Sequence, residues 1–278
     1  MATANVILLM SWLVSSDPSM PLVQANLPLL AKLVPDGVQH GTILAVEFDP
    51  ESHWFAVAVT IAAAYVKEGF QVGYDSQARP REAVIRDFES LGLNVWQYVK
   101  SGSLWIDDWY SATLSGGRIE SSGAQSGPLF EPIEGGVRLR SLKVADMSLE
   151  WSKQMKGEID YSDEERTPPG SLIVAESISP SLRFNDEKAY LEWVETRVGP
   201  NSRNSGWISL VGIASGVHSD LFYRRMENAL DGVIEVRVLE RNDEAKNFLR
   251  IRGLKGKRYD ARWHEIQIKP NGEAVLMS

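Results

Sequence analysis

The sequence predicts an α/β protein with a mainly parallel central sheet. Short apolar runs that suit buried strands alternate with helical stretches on both sides of a polar middle section, and this alternation is typical of βαβ units. The last part of the chain has three strand-like runs in succession, which favours antiparallel strands added to that sheet. With 278 residues, 44% of them hydrophobic, the chain can bury a large core.

The first part of the chain begins this alternation. The stretch "LVQANLPLLAKL" predicts a short amphipathic helix, because its apolar residues recur at helical spacing. The elements predicted after it are a strand at "GTILAVEF", a helix over 53–68, a strand at "QVGYDS", a helix over 80–91 and a strand at "GSLWIDDWY".

The alternation lapses over 111–170. The stretch "SGGRIESSGAQSGPLFEPIEGG" is rich in Gly and Ser, and "KGEIDYSDEERTPPG" is charged and ends in Pro-Pro-Gly, so both lack the apolar period of core elements. We predict a single domain over 1–278 with an insertion near 111–170. Within the insertion we expect a hairpin at "GVRLRSLKV" and a helix around 146–156.

The alternation resumes after the insertion and then changes character. The predicted elements are a strand at "SLIVAES", a helix over 186–198, a strand at "WISLVGIA" and a helix over 219–230. The three closing runs are "GVIEVRVLE", "KNFLRIRGL" and "ARWHEIQIK". Turn-like stretches separate them, as expected of antiparallel neighbours.

Composition excludes several classes of site. The net charge of −8 argues against a general binder of nucleic-acid phosphates, because such proteins usually carry a basic face. The absence of cysteine excludes disulfides, thiolate nucleophiles and cysteine-ligated zinc. The four histidines are scattered without metal-ligand spacing, so we expect no metal site.

The N-terminal apolar run "VILLMSWLV" favours a buried strand or a packed arm over a secretory signal. No Lys or Arg precedes the run, and no convincing small-residue cleavage site follows it. No stretch approaches the roughly 20 apolar residues that span a bilayer. We therefore expect a cytoplasmic protein without a membrane partner.

The order of these segments resembles the KaiC-like branch of the RecA superfamily, a group of P-loop ATPases common in archaea. The resemblance covers most of the chain and rests on "GFQVGYDSQARPREAVIRDFESLGLNV" and on the closing stretches "RRMENALDGVIEVRVLE" and "FLRIRGLKGKRYDARWHEIQI". It implies a RecA-like three-layer fold, a nucleotide site after the first core strand, and assembly of subunits side by side.

The sequence at the implied phosphate loop departs from the family pattern. A P-loop needs glycines whose backbone N–H groups surround the phosphates, a Lys that reaches them, and a Ser or Thr that holds Mg²⁺. Phe48, Glu51 and His53 stand where glycines belong, Trp54 replaces the Lys, and Phe55 replaces the Mg²⁺ ligand. We interpret the stretch as the remains of a phosphate loop. Its vestigial residues are Phe48, Asp49, Pro50, Glu51, Ser52, His53, Trp54 and Phe55.

Two further positions concern hydrolysis. The resemblance implies a pair of glutamates after the second core strand to prepare the attacking water, and Gln77 and Ala78 stand there instead. An amide cannot act as a general base. The strand "SLIVAES" resembles the Walker B strand, with Glu176 where Asp is usual. Glu176 keeps a carboxylate at the strand end, so a vestigial metal or water contact stays conceivable.

The closing strands carry a basic segment. KaiC-like proteins often supply basic residues from these strands to a neighbour's nucleotide, and this chain has Arg252, Lys255, Lys257 and Arg258 there. These side chains either bind an anion or only solvate an edge strand. We prefer the second interpretation, because edge strands are commonly protected by Lys and Arg.

Three functional hypotheses follow. The first is a non-catalytic KaiC-like protein with an eroded ATP site and no cofactor, acting as a regulatory or scaffolding subunit with itself or with an active KaiC-like paralogue. The second is an ATP-binding protein or weak ATPase that uses Glu176, Asp49 and His53 with ATP and Mg²⁺. The third is a nucleic-acid-binding recombinase paralogue that uses "RIRGLKGKRYDAR", with Tyr259 as a stacking residue.

Two groups of residues leave alternatives open. Trp96, Trp105, Trp109 and Tyr110 suit either a protein interface or packing within the domain. His218, Ser219 and Asp220 are adjacent in the chain, and adjacent residues do not form a catalytic triad by sequence. Ser219 or Asp220 is better explained as the N-cap of the helix predicted over 219–230.

Overall fold

The fold is built on one large sheet with helices on both sides. A computed structural model describes residues 22–23, 28–110, 130–133, 136–139, 171–180, 182, 187–241 and 243–277. The strands are β1 (Leu22–Val23), β2 (Val38–Gln39), β3 (Ile43–Phe48), β4 (Val72–Ser76), β5 (Leu104–Asp108), β6 (Phe130–Ile133), β7 (Gly136–Leu139), β8 (Leu172–Ala175), β9 (Ile208–Ala214), β10 (Gly232–Arg241), β11 (Glu244–Leu254), β12 (His264–Ile268) and β13 (Ala274–Leu276).

The helices lie between these strands. They are α1 (Pro28–Leu33), α2 (Trp54–Lys67), α3 (Arg81–Ser90), α4 (Val95–Lys100), α5 (Glu187–Trp193), α6 (Gly199–Ser205) and α7 (Asp220–Ala229). A π-helical segment, Val194–Val198, joins α5 to α6. In the described part of the chain, no helix combines the length and the apolar character that crossing a membrane requires.

The main sheet has nine strands in the order β13-β12-β11-β10-β3-β9-β8-β4-β5. The six strands from β10 to β5 in that order are parallel to their neighbours, and β11, β12 and β13 continue the sheet in antiparallel pairing. The predicted α/β class, with a mainly parallel sheet and antiparallel C-terminal strands, is confirmed. β10 is the strand at which the direction changes, because it pairs parallel with β3 and antiparallel with β11.

Two apolar layers cover the two faces of this sheet. Along β3, Leu44 and Val46 face the layer that contains α2, whereas Ile43 and Ala45 face the layer that contains α5 and α7. This alternation follows from the period of two in a strand. Helix α2 buries ten of its fourteen residues and carries no charge before Lys67, as expected for a central helix.

Several predicted elements need correction. Among the described residues of the predicted N-terminal helix, Pro28–Leu33 is helical, whereas Leu22–Val23 pairs as a strand with β2. The helix predicted over 186–198 continues past its predicted end, because α6 begins at Gly199 directly after the π-helical segment. The second residue of α6 is a Pro, which is tolerated in the first turn of a helix because the N–H it lacks would have no helical partner there. Helix α4 and strand β13 were not predicted, because runs of six and three residues show no measurable period.

The predicted insertion is described only in part. A hairpin forms between β6 and β7, so its second strand starts at the predicted Gly136 while its first strand precedes the predicted stretch. The helix predicted around 146–156 and the N-terminal run "VILLMSWLV" lie outside the described residues. The single-domain interpretation over 1–278 stays a prediction.

Candidate functional site

The candidate site lies at the carboxyl edge of the parallel strands. Because β3, β4, β8 and β9 are parallel, their carboxyl ends meet at one edge, where ligands bind in open α/β sheets. The loop 49–53 follows β3 at this edge, and Glu176 follows β8. The fold therefore brings the predicted loop and the predicted acidic residue to the same place.

The backbone of the loop 49–53 is bonded to the neighbouring strands. The Asp49 N–H donates to the Val236 carbonyl at 3.0 Å, the His53 N–H donates to Asn247 Oδ1 at 2.7 Å, and the Ser52 N–H donates to the Asp49 carbonyl at 2.8 Å. Pro50 has no N–H to offer. Across residues 48–55 no backbone φ is positive. Most of the N–H groups of this loop are therefore committed to acceptors within the chain.

The side chains of the loop divide between contact and exposure. The Asp49 carboxylate accepts from the Val238 N–H at 2.9 Å and from Arg237 Nη1 at 3.0 Å, which ties the loop to β10. Ser52 is buried. Pro50, Glu51 and His53 are exposed. The Asp49 carboxylate is thus engaged with β10, whereas the His53 side chain is exposed.

Trp54 lies at the centre of the site. It is the first residue of α2, its side chain is buried, and its indole Nε1–H donates to the Glu176 carbonyl at 2.7 Å. The ring stacks on Phe48 with centroids 6.1 Å apart. Below it lies Gly212, where an added Cβ would come within 2.9 Å of the indole nitrogen and 2.1 Å of the Glu176 carbonyl oxygen. The indole therefore fills the space between α2 and the end of β8.

Phe55 is the second residue of α2. Its ring meets Phe48 edge-on at 5.7 Å, and the guanidinium of Arg79 lies 5.0 Å from its centroid on the other side. Such a cation–π contact is favourable by about 0.5–1 kcal/mol at exposed sites and more where water is excluded. A phenyl ring has no oxygen, so this position cannot ligate a metal ion.

Glu176 is fully buried and accepts hydrogen bonds on both carboxylate oxygens. Tyr74 Oη and Arg79 Nε donate to Oε2, each at 3.0 Å, and the Ala78 N–H donates to Oε1 at 3.1 Å. Burial raises the pKa of Glu176, and Arg79 opposes that rise. Gln77 is buried beside this group. The pair Gln77 and Ala78 thus lies next to Glu176, and Ala78 contributes a backbone donor.

Three side chains of this network, those of Tyr74, Arg79 and Asp75, were not predicted from the sequence. Arg79 contacts Glu176, Tyr74 and Asp87, so it joins β8, β4 and α3. Asp75, beside Glu176 at the end of β4, has its pKa raised to about 6, chiefly by burial and further by the charge of Glu176. The one available signal was an Asp inside the apolar strand "QVGYDS", where charge is costly without partners.

The predicted basic residues are not brought to the Trp54 site as a group. Arg252 pairs with three carboxylates, those of Glu47, Glu227 and Glu235. Lys255 donates to the carbonyls of Asn228 and Leu230 at the end of α7, Arg258 pairs with Asp36, and Lys257 adds positive potential near Asp36. Three of the four are therefore engaged within the chain.

A second charged cluster lies on the other face of the sheet and was not predicted. Glu47 and Glu235 are opposite each other on β3 and β10, are both buried, and share Arg237 and Arg252. Beside them is a cavity of about 340 Å³. Its lining residues are Glu47, Ser215, Gly216, Asp220, Tyr223, Arg224, Glu227, Arg237 and Arg252. Charged residues inside two apolar strands were the signal for this cluster.

Comparison with known proteins identifies the fold. No family model and no curated protein matches the chain. Among solved structures, a KaiC-like protein from the hyperthermophilic archaeon Pyrococcus horikoshii matches with a TM-score of 0.63, covering 93% of this chain and 100% of that one. The fold is KaiC-like. The predicted RecA-like three-layer architecture is thereby confirmed.

The KaiC-like fold leaves the chemistry to be argued from the side chains. Identity with the solved structure is 16%, a level at which shared architecture says nothing about individual site residues. Within the described residues, no group of three or more His, Asp or Glu side chains is arranged to hold a metal ion. The function has to be inferred from Trp54, Glu176 and their contacts.

Proposed function

We propose that this protein is a non-catalytic KaiC-like protein that acts by binding, as a regulatory or scaffolding subunit whose ATP site has been eroded. The observation that carries the proposal is the position of Trp54. Its indole is buried at the start of the helix that follows the first core strand and is bonded to the Glu176 carbonyl. A P-loop lysine would extend toward phosphate from this place.

The backbone of the loop supports the same proposal. A phosphate nest needs free N–H groups that converge on one point, usually with glycines that adopt left-handed conformations. In the loop 49–53 the N–H groups of Asp49, Ser52 and His53 already have acceptors, and no φ is positive. The exposed carboxylate of Glu51 adds charge repulsion toward a polyanion. The residues present do not fit ATP with Mg²⁺ bound in the P-loop manner.

The state of Glu176 argues against a weak ATPase. A general base has to be accessible to the attacking water and within hydrogen-bond reach of it. Both carboxylate oxygens of Glu176 already accept from Tyr74, Arg79 or Ala78, and its side chain is fully buried. The amide of Gln77 cannot substitute for it.

Partners are proposed from charge and exposure. The side chains of Arg252, Lys255 and Arg258 are engaged with groups of the chain itself, which leaves little free positive charge for a nucleic acid in this segment. Trp96 on α4 is 49% exposed, and exposed tryptophans are enriched at protein interfaces. We therefore favour a second copy of this chain or an active KaiC-like protein as the partner.

Calorimetric titration with ATP and Mg²⁺, combined with light scattering, tests this proposal. We expect no heat of binding at millimolar nucleotide and a mass above that of one chain. An active P-loop ATPase serves as the positive control for the nucleotide preparation. Binding at micromolar affinity would contradict the eroded site, and a monomer under all concentrations would contradict self-assembly while leaving the paralogue to be tested by co-purification.

A further inference from the structure

Three side chains from separate segments converge beside the edge of the sheet. Ser179 follows β8, Glu187 is the first residue of α5, and His218 lies in the loop after β9. Ser179 Oγ is 2.8 Å from His218 Nε2, and His218 Nδ1 is 3.4 Å from Glu187 Oε1. This is the order of contacts in a hydrolytic triad, assembled by the fold rather than by adjacency in the chain.

The hydrogen bonds around these residues determine the direction of the protons. The Glu187 carboxylate can only accept, so His218 presents Nδ1–H to it and keeps a lone pair on Nε2. The Ala214 N–H donates to Ser179 Oγ at 3.2 Å, which occupies one lone pair of that oxygen. The hydroxyl proton of Ser179 is then the one directed at His218 Nε2. This is the arrangement that general-base activation of a serine requires.

The imidazole is held firmly in this arrangement. Its ring packs against Phe222 with centroids 4.8 Å apart, and the His218 side chain is only 5% exposed. Tyr223 Oη accepts from the backbone N–H groups of Val217 and His218, which fixes the loop. Burial lowers the pKa of His218 below its ordinary value, while Glu187 acts in the opposite sense. The ring is therefore neutral at neutral pH.

Glu187 is itself fixed by the N-cap of α7. The Ser219 N–H donates to Glu187 Oε1 at 3.0 Å, and the Ser219 hydroxyl binds the other carboxylate oxygen. Ser219 also accepts from the Phe222 N–H as the N-cap of α7, so the cap predicted from the sequence is confirmed. The carboxylate can thus orient the imidazole without moving.

We propose that Ser179, His218 and Glu187 form an acyl-transfer site that acts on small uncharged esters. Ser179 is the nucleophile, His218 is the general base, and Glu187 is a positioning residue that acts through His218. The proposal goes beyond the binding role proposed above, because it uses none of the side chains of the Trp54 site.

The reaction balances with an ester and water alone. Ser179 Oγ bonds to the carbonyl carbon while its proton passes to His218 Nε2, and the bond from that carbon to the alkoxy oxygen then breaks as His218 returns the proton to the leaving alcohol. Water attacks the acyl-serine by the same proton route and releases the carboxylic acid. No redox partner or metal ion is required.

The surroundings of the three residues determine the substrate class. An anionic ester would approach the Glu187 carboxylate and be repelled by it. Val217 and Leu221, which flank His218 and Ser219 in the chain, are 57% and 65% exposed, so they can cover a short apolar group. A neutral ester with a short acyl chain satisfies both conditions.

Covalent labelling of the full-length protein with a fluorophosphonate probe, read by peptide mass spectrometry, tests the proposal directly. We expect an adduct on Ser179 in the folded protein and none after urea denaturation. The adduct should be absent in Ser179→Ala and should form about 100-fold more slowly in His218→Gln, in line with the usual contribution of a general base. Ser103→Ala serves as a matched control that keeps wild-type labelling.

The pH dependence of labelling distinguishes a positioning role of Glu187 from a purely structural one. The wild-type rate should rise with pH to a plateau, with a midpoint below the ordinary histidine pKa of about 6.5. In Glu187→Gln the midpoint should fall further, because the carboxylate raises the pKa of His218. Absence of a Ser179 adduct on the wild-type protein, or an adduct that forms at the same rate in His218→Gln, would overturn the proposal. Nucleotide binding does not enter this readout.

Discussion

Glu176 and Glu47 are both buried glutamates near the carboxyl ends of parallel strands, yet they are stabilised in different ways. Glu176 is 0% exposed and has one arginine, one phenol and one backbone N–H as donors. Glu47 is 5% exposed, shares Arg237 and Arg252 with other carboxylates, and borders a cavity of about 340 Å³. The first environment is closed and the second is open to water.

The two clusters should respond differently to mutation. In both clusters burial raises the glutamate pKa and arginine opposes it, but for Glu47 two further carboxylates, Glu227 and Glu235, add repulsion. Removing a donor from the closed cluster leaves a charge that water cannot reach, whereas the open cluster can exchange partners and admit solvent. The same type of mutation should therefore cost more at Glu176 than at Glu47.

The largest effect is expected from Arg79→Ala, which removes the charged partner of Glu176. An uncompensated buried carboxylate should lower the free energy of unfolding by about 3–5 kcal/mol. Urea denaturation at pH 8 measures this loss. Arg86→Ala, at an exposed position on α3, is the control and should change the free energy by less than about 0.5 kcal/mol. A loss as small as the control would show that Glu176 is not dependent on its arginine.

A second effect concerns the pH dependence of stability through Asp75, next to Glu176. Its pKa is raised to about 6, so between its unfolded value near 4 and pH 6 the folded state binds more protons than the unfolded state. The free energy of unfolding should therefore fall by roughly 1–3 kcal/mol as pH rises through this window. In Asp75→Asn this fall should shrink by that amount. An unchanged dependence of the free energy of unfolding on pH in this variant would show that a group other than Asp75 binds the proton.

An effect of similar size is expected from Trp54→Phe, which keeps an aromatic ring but removes the indole N–H. The Glu176 carbonyl loses its donor at a buried position, which should cost about 1–3 kcal/mol, and the smaller ring adds to this. Thermal unfolding measures it, with the exposed Trp96→Phe as the matched control. Equal melting temperatures for the two variants would contradict a stabilising role of the Trp54 hydrogen bond.

The smallest effect is expected in the open cluster, from Arg252→Ala. Glu47 keeps Arg237, Glu235 keeps Arg250, and the cavity admits water, so the loss should be about 1–2 kcal/mol. Because solvent-accessible pairs are screened by ions, this loss should decrease in high salt, while the Arg79→Ala loss should not. A salt-independent loss larger than that of Arg79→Ala would reverse the comparison between the clusters.

The sequence predicted the sheet far better than the side-chain contacts at its edge. Strands such as β3 and helices such as α2 can be recognised from their composition and from the spacing of their apolar residues. The parallel order of the strands follows from their alternation with helices along the chain. The helix that begins at Trp54 could be predicted from the same pattern. The bond of Trp54 to the Glu176 carbonyl spans 122 positions of the chain, and no local pattern encodes a partner at that distance.

The contacts of His218 likewise could not be predicted from the sequence alone. His218, Ser219 and Asp220 form no triad among themselves, and Ser219 is the N-cap of α7, as the sequence predicts. The sequence does not reveal Ser179 and Glu187, which lie 39 and 31 positions away from His218 and reach its ring only because β8, β9 and α5 meet at one edge. Convergence of this kind is a property of the topology rather than of any motif.

Gly212 lies directly against the indole of Trp54. Since this position on β9 has no side chain, the Glu176 carbonyl and the indole nitrogen can both lie close to its Cα. The indole of Trp54 thus occupies its space as a bound ligand would, although it is covalently attached to the chain. Trp54→Gly should leave an indole-shaped apolar hole, and such holes take up matching small molecules from solution. Free indole should then restore stability to the variant, with the ring nitrogen again donating to the Glu176 carbonyl.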